Sequence, residues 1–220
     1  MINLAAPEPS GAKAERSRST ILAAAEELFA TRGYAAARLE DVADAVGLTR
    51  AALFYYFRDK QSLYDAMLKN AFASLTTQLK DVLAGKGTIA QRIELAVEAW
   101  VDAIVARPSL ARLILRYVAD AKEQPPQHML PDNILLNFWS LFEQGRRSGE
   151  LRPVSDDPFH VASAIIGTTV FYVSGLATLI PQGEFEPLDP KQVAAHKREA
   201  VFAARHLLGI PHGRQAVSKK

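Results

Sequence analysis

The stretch from Leu39 to Lys60 constrains the fold more than any other part of the chain, because its pattern predicts two short helices joined by a tight turn. Val42 and Val46 lie four residues apart and therefore share one face of the first helix. Gly47 tolerates the left-handed backbone that ends a helix and reverses the chain. Thr49 is then placed to cap the second helix through its hydroxyl.

The second helix of this stretch has an apolar face and a polar face. Leu53 and Phe57, again four residues apart, are expected in the core. Arg50, Tyr55 and Tyr56 point elsewhere, where they stay available for contacts with a partner. A helix, a glycine turn and a capped helix with exposed arginine and tyrosine form the pattern of a DNA-binding helix-turn-helix.

Bulk composition allows a soluble globular protein and says little about its partners. The chain has 220 residues, 49% of them hydrophobic, so it can bury a substantial core in one or two domains. The absence of cysteine excludes disulfides and thiolate metal sites. The N-terminal sequence lacks the basic start and apolar run of a secretory signal, so a cytoplasmic location is expected.

The arrangement of charge is more informative than the net charge of +2, because acidic and basic residues balance through Lys60. The acidic side chains of this region fall on the helix expected at about 17–32 and at the start of the helix that begins near Leu39. The basic side chains could form one edge that faces DNA phosphates. This edge would consist of Lys13, Arg16, Arg18, Arg50 and Lys60.

Hydrophobic periodicity predicts an all-α chain of about nine helices, with no internal repeat and no convincing strand. Besides the two helices of the opening stretch, helices are expected at about 17–32, 61–83, 88–106, 108–117, 133–148, 156–180 and 191–208. The three prolines of KEQPPQHMLPDN predict a loop before residue 133. The predicted domains are a flexible arm (1–15), a DNA-binding domain (16–60), a ligand-binding and dimerisation domain (61–209) and a flexible tail (210–220).

The run from Val161 to Ile180 contains no charged residue, and its length alone would permit a membrane span. Several serine, threonine and tyrosine residues interrupt it, and neither immediate flank carries the basic residues that anchor a span. We therefore interpret the run as a soluble helix that is buried on both faces, and we expect no membrane partner.

The region from about Arg16 to Leu68 carries two longer motifs, ILAAAEELFATRGY and DVADAVGLTRAALFYYFRDKQSL. Within the second motif, a Val-Ala pair is followed by the Gly47-Leu48-Thr49 turn, by a Leu-to-Phe run and by Lys60 at the start of the next helix. In spacing and order these residues resemble the TetR (tetracycline-repressor-like) family of transcriptional regulators. Beyond Leu68 only the helical layout and the length support this resemblance.

Three positions depart from the usual pattern of that family. Arg38 stands where a threonine often caps the first helix of the motif, so a hydroxyl cap is lost there. Phe54 replaces a tyrosine and lacks its phosphate-donating hydroxyl. Tyr56 replaces a histidine but keeps a hydrogen-bond donor.

Side-chain chemistry assigns an expected role to each residue of the interface. Arg50 is expected to read a base, because its guanidinium can pair bidentately with O6 and N7 of guanine. The alternatives for Arg50 are a phosphate contact or a solvated surface charge. Ala51 and Ala52 allow close approach to the bases, and Tyr55 is expected at a base or a sugar. The residues expected at phosphates are Arg16, Arg18, Arg38, Thr49, Tyr56 and Lys60.

The helical region after Lys60 is larger than a DNA reader needs. The resemblance implies that it senses a ligand and forms a homodimer through the helices at about 156–180 and 191–208. Aromatic walls with a few hydroxyls suit a mostly apolar small molecule, and ordinary core packing is the alternative for each residue. The expected lining residues are Trp100, Tyr117, Phe138, Trp139, Thr169 and Tyr172.

The expected function is a DNA-binding transcriptional regulator that binds a pseudo-palindromic operator as a homodimer. It is expected to act as a repressor that a small, largely apolar ligand releases, although the residues do not decide between repression and activation. One alternative is a cofactor-free enzyme, and another is a helical ligand-binding or protein-interaction protein that does not read DNA. The five histidines lack metal-ligand spacing and no glycine-rich phosphate loop is present, so no cofactor or metal is expected.

Overall fold

The computed structural model describes residues 11–120, 133–181, 183 and 185–210. These residues form nine helices and no strand, which confirms the predicted all-α class. The helices are α1 (Ala12–Ala36), α2 (Leu39–Ala45), α3 (Arg50–Tyr56), α4 (Lys60–Ala84), α5 (Ile89–Ala106), α6 (Ser109–Ala119), α7 (Asn133–Ser148), α8 (Pro158–Phe171) and α9 (Pro190–Leu207). The predicted loop before residue 133 and most of the predicted C-terminal tail lie outside the described residues.

The chain divides into two compact units. The first consists of Met1–Ala71 and Arg116–Gln127, and the second consists of Phe72–Leu115 and His128–Lys220. Packing therefore assigns the first turns of α4 and the end of α6 to the same unit as α1, α2 and α3. The predicted functional boundary at residues 60 and 61 stays a prediction.

Helix α1 begins earlier than the sequence pattern indicated. It starts at Ala12, within the arm that was expected to be flexible, and the rest of that arm lies outside the described residues. Alanine, lysine and glutamate are good helix formers, which accounts for the added turn. At the other end, Gly33 takes a φ of 77° and interrupts the helix, as expected of a helix-stopping glycine.

The core of the first unit contains an aromatic cluster that joins α1 to α4. The rings of Tyr34 and Tyr64 lie 4.9 Å apart edge to face, and Phe29 meets Tyr64 at the same distance. The Tyr34 hydroxyl donates to Gln61 Oε1 at 2.8 Å. Tyr34 is half-buried in this cluster, with its hydroxyl paired at the edge.

Helix α5 is the centre of the second unit and packs against α7, α8 and α9. A capping box fixes its start, because Thr88 Oγ1 accepts from the backbone N–H of Gln91 while the Gln91 side chain accepts from that of Thr88. Its apolar face buries Ile93, Val97 and Trp100. This register is the one that the sequence periodicity predicted.

Helix α8 and its continuation differ from the uniform buried helix that was expected. After Phe171 the chain forms a π-helical turn, Tyr172–Leu176, and a last turn, Ala177–Leu179. Pro158–Leu176 is long and apolar enough to cross a membrane by length and composition, but about a third of its most apolar window is buried inside the protein (33%). Phe159, Phe171 and Leu179 are exposed, so the chain by itself does not cover both faces.

Candidate nucleic-acid interface and ligand cavity

The turn between α2 and α3 has the geometry that the sequence predicted. Gly47 takes a φ of 67°, and the N–H of Leu48 donates back to the carbonyl of Ala43 at 2.9 Å. Thr49 Oγ1 accepts from the N–H of Ala52 at 3.1 Å, which caps α3. The threonine hydroxyl hydrogen remains able to donate to a phosphate, since the cap uses only an oxygen lone pair.

Helix α3 buries one face and exposes the other. Leu53 and Phe57 are buried, with 1% and 4% of their surface accessible, as their spacing predicted. Arg50, Ala51 and Tyr55 are exposed on the opposite side. Phe54 is also exposed (38%), which is unusual for a large apolar side chain and suits a surface that a partner covers.

Arg50 is held by an acidic residue that sequence reasoning did not assign. Its Nη1 lies 2.8 Å from Glu40 Oε1 in the first turn of α2, and its guanidinium lies 5.4 Å from the centre of the Phe54 ring. Both charged side chains are largely exposed, so this ion pair is weak. No spacing in the sequence indicates this pair, because Glu40 and Arg50 meet only after the turn has brought α2 and α3 together.

The other residues of α3 are arranged around the exposed face. The Tyr55 and Tyr56 rings meet edge to face at 5.4 Å, with Tyr55 exposed and Tyr56 half-buried. Ala51 is exposed and Ala52 is half-buried. This surface is therefore made of an arginine, two tyrosines and small side chains, which can approach base edges and sugars.

Lys60 has intramolecular partners that the sequence did not indicate. Its Nζ donates to the carbonyl of Ala35 at 3.1 Å and lies 4.5 Å from the centre of the Tyr34 ring. Partial burial lowers the pKa of the Lys60 ammonium. The side chain thus ties the start of α4 to the end of α1, and its predicted phosphate contact stays a prediction.

The other three arginines that were expected at phosphates are differently placed. Arg16 is exposed on α1, whereas Arg18 is half-buried with its guanidinium 5.1 Å from the centre of the Phe57 ring. Arg38 is exposed at the N-cap of α2, where no side-chain cap is formed. This agrees with the expected loss of a hydroxyl cap at that position.

The second unit contains an apolar cavity of about 90 Å³ between α4, α5, α7 and α8. It is lined by Leu79, Leu83, Ile93, Ala96, Val97, Trp100, Phe138, Ala162, Ile165 and Ile166. Trp100 and Phe138 are thus the two predicted lining residues that the structure brings together. The Trp100 Nε1 is buried with no hydrogen-bond acceptor among the described residues.

The other four predicted lining residues lie outside this cavity, which has no hydroxyl in its wall. Tyr117 belongs to the first unit, and Trp139 is exposed with its ring 5.2 Å from Phe159. Thr169 and Tyr172 instead pack against His196: its Nε2 lies 3.3 Å from Thr169 Oγ1, and its ring stacks on Tyr172 at 3.9 Å. Aromatic and hydroxyl side chains from several helices were expected to line one cavity, but they divide between different neighbours.

Comparison with known proteins agrees with this architecture. Residues 21–67 match the family model of bacterial regulatory proteins, tetR family. The HTH-type transcriptional activator FasR of Mycolicibacterium smegmatis is 36% identical over 87 residues, which span 40% of each chain. The HTH-type transcriptional regulator RutR of Escherichia coli K12 is 28% identical over 178 residues, covering 76% of each chain.

Solved structures extend the likeness in fold to most of the chain. The ketosteroid transcriptional regulator KstR2 of Mycobacterium tuberculosis has a TM-score of 0.64 at 20% identity, covering 90% of this chain and 96% of KstR2. The fatty acid degradation regulator FadR of Bacillus halodurans has a TM-score of 0.59 at 16% identity, covering 88% of this chain and 97% of FadR.

A helix-turn-helix unit followed by a larger helical unit defines this protein as a DNA-binding transcriptional regulator. The family model matched by residues 21–67 and the curated relatives both indicate the same family of regulators. The chain belongs to the TetR family. This is a non-enzymatic family of soluble regulators, so the predictions of a DNA-binding regulator and against an enzyme are confirmed.

Proposed function

We propose that this regulator binds a pseudo-palindromic operator in the cytoplasm as a homodimer, acts as a repressor and is released by a small, mostly apolar ligand. The observation that carries the proposal is the apolar cavity of the second unit. A concave, mostly apolar space is the usual form of a small-molecule site.

The size of the cavity limits what can enter without rearrangement. An apolar cavity of about 150 Å³ is needed to hold a benzene molecule. The cavity of this structure measures about 90 Å³, so a larger ligand must displace part of its wall. Phe138 is only half-buried and is the side chain best placed to yield. Ligand binding would therefore favour a rearranged conformer, and operator affinity would fall if that conformer spaces the recognition helices wrongly.

The exposed apolar residues of α8, its continuation and α9 support a homodimer through residues 156–180 and 191–208. Phe159, Phe171 and Leu179 are exposed along the first of these segments, and Phe202 is 58% exposed on α9. A soluble monomer seldom leaves a large apolar patch uncovered. In a twofold dimer, the two copies of α3 would meet successive major grooves about 34–36 Å apart.

The relatives do not decide the sign of regulation. FasR is an activator, whereas KstR2 of Rhodococcus jostii, 30% identical over 92 residues, is a repressor. The repressor role in this proposal therefore depends on where the operator lies relative to its promoter. Footprinting on the DNA that flanks the protein's own gene tests it directly, since overlap with the promoter is expected for a repressor.

Dimerisation is tested by sedimentation equilibrium on variants that place a charge on the apolar surface. Phe171→Glu and Phe202→Glu are expected to give monomers with weakened operator binding, because a buried unpaired carboxylate opposes association. Val118→Glu is the matched control, since Val118 is an exposed apolar residue on α6 in the other unit. Dimers that persist in both α8 and α9 variants would rule out this interface.

A further inference from the structure

A polar cleft lies beside the apolar cavity in the second unit and shares Leu83 with it. The cleft has a volume of about 210 Å³. Its polar side chains are Arg92 of α5 and, on α7, Asn137, Ser140 and Gln144. Among the described residues of its wall none is acidic, and Arg92 is the one that carries a formal charge.

The Arg92 guanidinium is incompletely satisfied. Its Nη2 donates to the carbonyl of Leu83, but its Nε is buried with no hydrogen-bond partner. Among the described residues it forms no ion pair, and the nearby Glu94 pairs instead with Arg205 at 2.6 Å. Arg92 is half-buried at an open cleft whose described wall contains no acidic side chain, so an anion can approach the guanidinium and pair with it.

A purely structural role explains part of this arrangement. Arg92 contacts a carbonyl in the last turn of α4, and basic side chains often satisfy the final carbonyls of a helix. That contact uses one of the five N–H donors of the guanidinium. It leaves the Nε donor and the positive charge unmatched. The structural role therefore accounts for the position of Arg92 but not for its unsatisfied group.

The spacing of Arg92 and Trp100 along α5 sets the length of a ligand that would reach from the cleft into the cavity. Arg92 and Trp100 lie on the same helix, eight residues apart, and both have a buried N–H without an acceptor. At the α-helical rise this separation is about 12 Å along the axis. A hydrocarbon chain of medium length covers such a distance, with one end in the cleft and its body in the cavity.

We infer that the effector of this regulator is an amphipathic anion, with an anionic headgroup at Arg92 and a hydrocarbon body in the apolar cavity. This inference rests on the proposed ligand-released function and narrows its ligand class. The headgroup accepts charge-assisted hydrogen bonds from the guanidinium, and the amides of Asn137 and Gln144 supply further donors. A neutral molecule of the same shape leaves the cation unmatched and binds more weakly.

The test measures binding of decanoate, decyl phosphate and decanol, which share a hydrocarbon body and differ in the headgroup. The chain has two tryptophans, and Trp139 is exposed, so Trp139→Phe leaves Trp100 as the only indole reporter. Titration is followed by Trp100 fluorescence and by calorimetry. The anions are expected to bind about ten- to hundredfold more tightly than decanol, the range for a hydrogen bond to a charged group. The tighter of the two anions identifies a carboxylate or a phosphate headgroup.

Variants of Arg92 separate binding from folding. Arg92→Gln is expected to abolish the preference for the anions while affinity for decanol stays unchanged, and Arg92→Lys is expected to keep part of it. Arg147→Gln removes a charge from an exposed position on α7 and is the matched control. The preference is the ratio of anion affinity to decanol affinity within one variant. A variant that is merely less stable would bind all three probes more weakly and leave this ratio unchanged.

Three results overturn the inference: binding of none of the three probes, equal binding of decanol and the anions, or an equal loss of affinity for all probes in Arg92→Gln. Failure of the proposed function looks different. If decanoate binds through Arg92 but operator affinity does not change, the inferred ligand class is supported and the proposed release by ligand is refuted. If decanol binds as tightly as the anions and releases DNA, release by ligand is supported and the anionic headgroup is refuted.

Discussion

Replacing Arg50 with alanine should weaken operator binding far more than binding to unrelated DNA. A bidentate contact with guanine contributes about 1–3 kcal/mol of discrimination. The free protein holds the same guanidinium against Glu40, and an exposed ion pair of this kind is worth at most about 1 kcal/mol. With the base contact at the middle of its range, about 2 kcal/mol, the net loss is about 1–2 kcal/mol for each subunit, because the ion pair that the free variant also loses is subtracted.

In the proposed homodimer the loss applies to two recognition helices. The total is about 2–4 kcal/mol, which corresponds to a roughly 30- to 1,000-fold weaker operator complex. The assay begins with selection of a preferred duplex from a randomised library by the unaltered protein. Fluorescence anisotropy at one fixed salt concentration then compares that duplex with a scrambled duplex of the same length and composition.

Arg58→Ala is the matched control for the loss of one positive charge. Arg58 follows α3, is 87% exposed and pairs with Asp59 at 3.0 Å. This control should weaken both duplexes to the same modest extent, since it removes only a general attraction to phosphates. If Arg50→Ala also weakens both duplexes equally, or leaves both unchanged, Arg50 does not read a base.

Three further substitutions probe the same chain. Glu40→Gln should raise affinity for every duplex but lower the ratio of selected to scrambled binding, because it frees Arg50 for phosphate contacts; a ratio that rises would contradict this. Lys60→Ala should weaken all sequences alike and reduce the salt slope by about one, whereas a role limited to the Ala35 carbonyl would lower stability and leave the slope unchanged. Burial lowers the pKa of His196 from 6.5, so the unfolded chain binds more protons and the free energy of unfolding should fall as pH drops below about 6.5. Denaturant titrations should show this dependence flattened in His196→Gln but not in His206→Gln, which alters an exposed histidine of the same helix.

The helix-turn-helix was predictable because its determinants are local. The apolar spacing of Leu53 and Phe57, the left-handed glycine at position 47 and the hydroxyl cap of Thr49 each act within about one turn of helix. Hydrophobic spacing likewise predicted a helix over 88–106, and the structure starts α5 at Ile89 with Thr88 as its cap. Such features can be read from a single sequence, since spacing along the chain fixes which groups meet.

The partners of the functional side chains were not predictable, because they come from other helices. Glu40 pairs with Arg50 only because the turn brings α2 and α3 together. Lys60, the first residue of α4, donates to the carbonyl of Ala35 near the end of α1. Neither contact follows a helical spacing. Glu40 and the Ala35 carbonyl compete with DNA for Arg50 and Lys60. Each side chain must leave its partner before it contacts DNA, which reduces the net free energy of that contact.

The sequence by itself determined that the chain is all-α and that a capped helix with exposed arginine and tyrosine follows a glycine turn. Tertiary structure decided which apolar side chains enclose a cavity and which polar groups remain unsatisfied beside it. Trp100 and Phe138 line the cavity, whereas Thr169 and Tyr172 turn to His196. The physical reason is that a helix fixes the angle between its own residues, while the rotation of each helix against its neighbours depends on packing throughout the core.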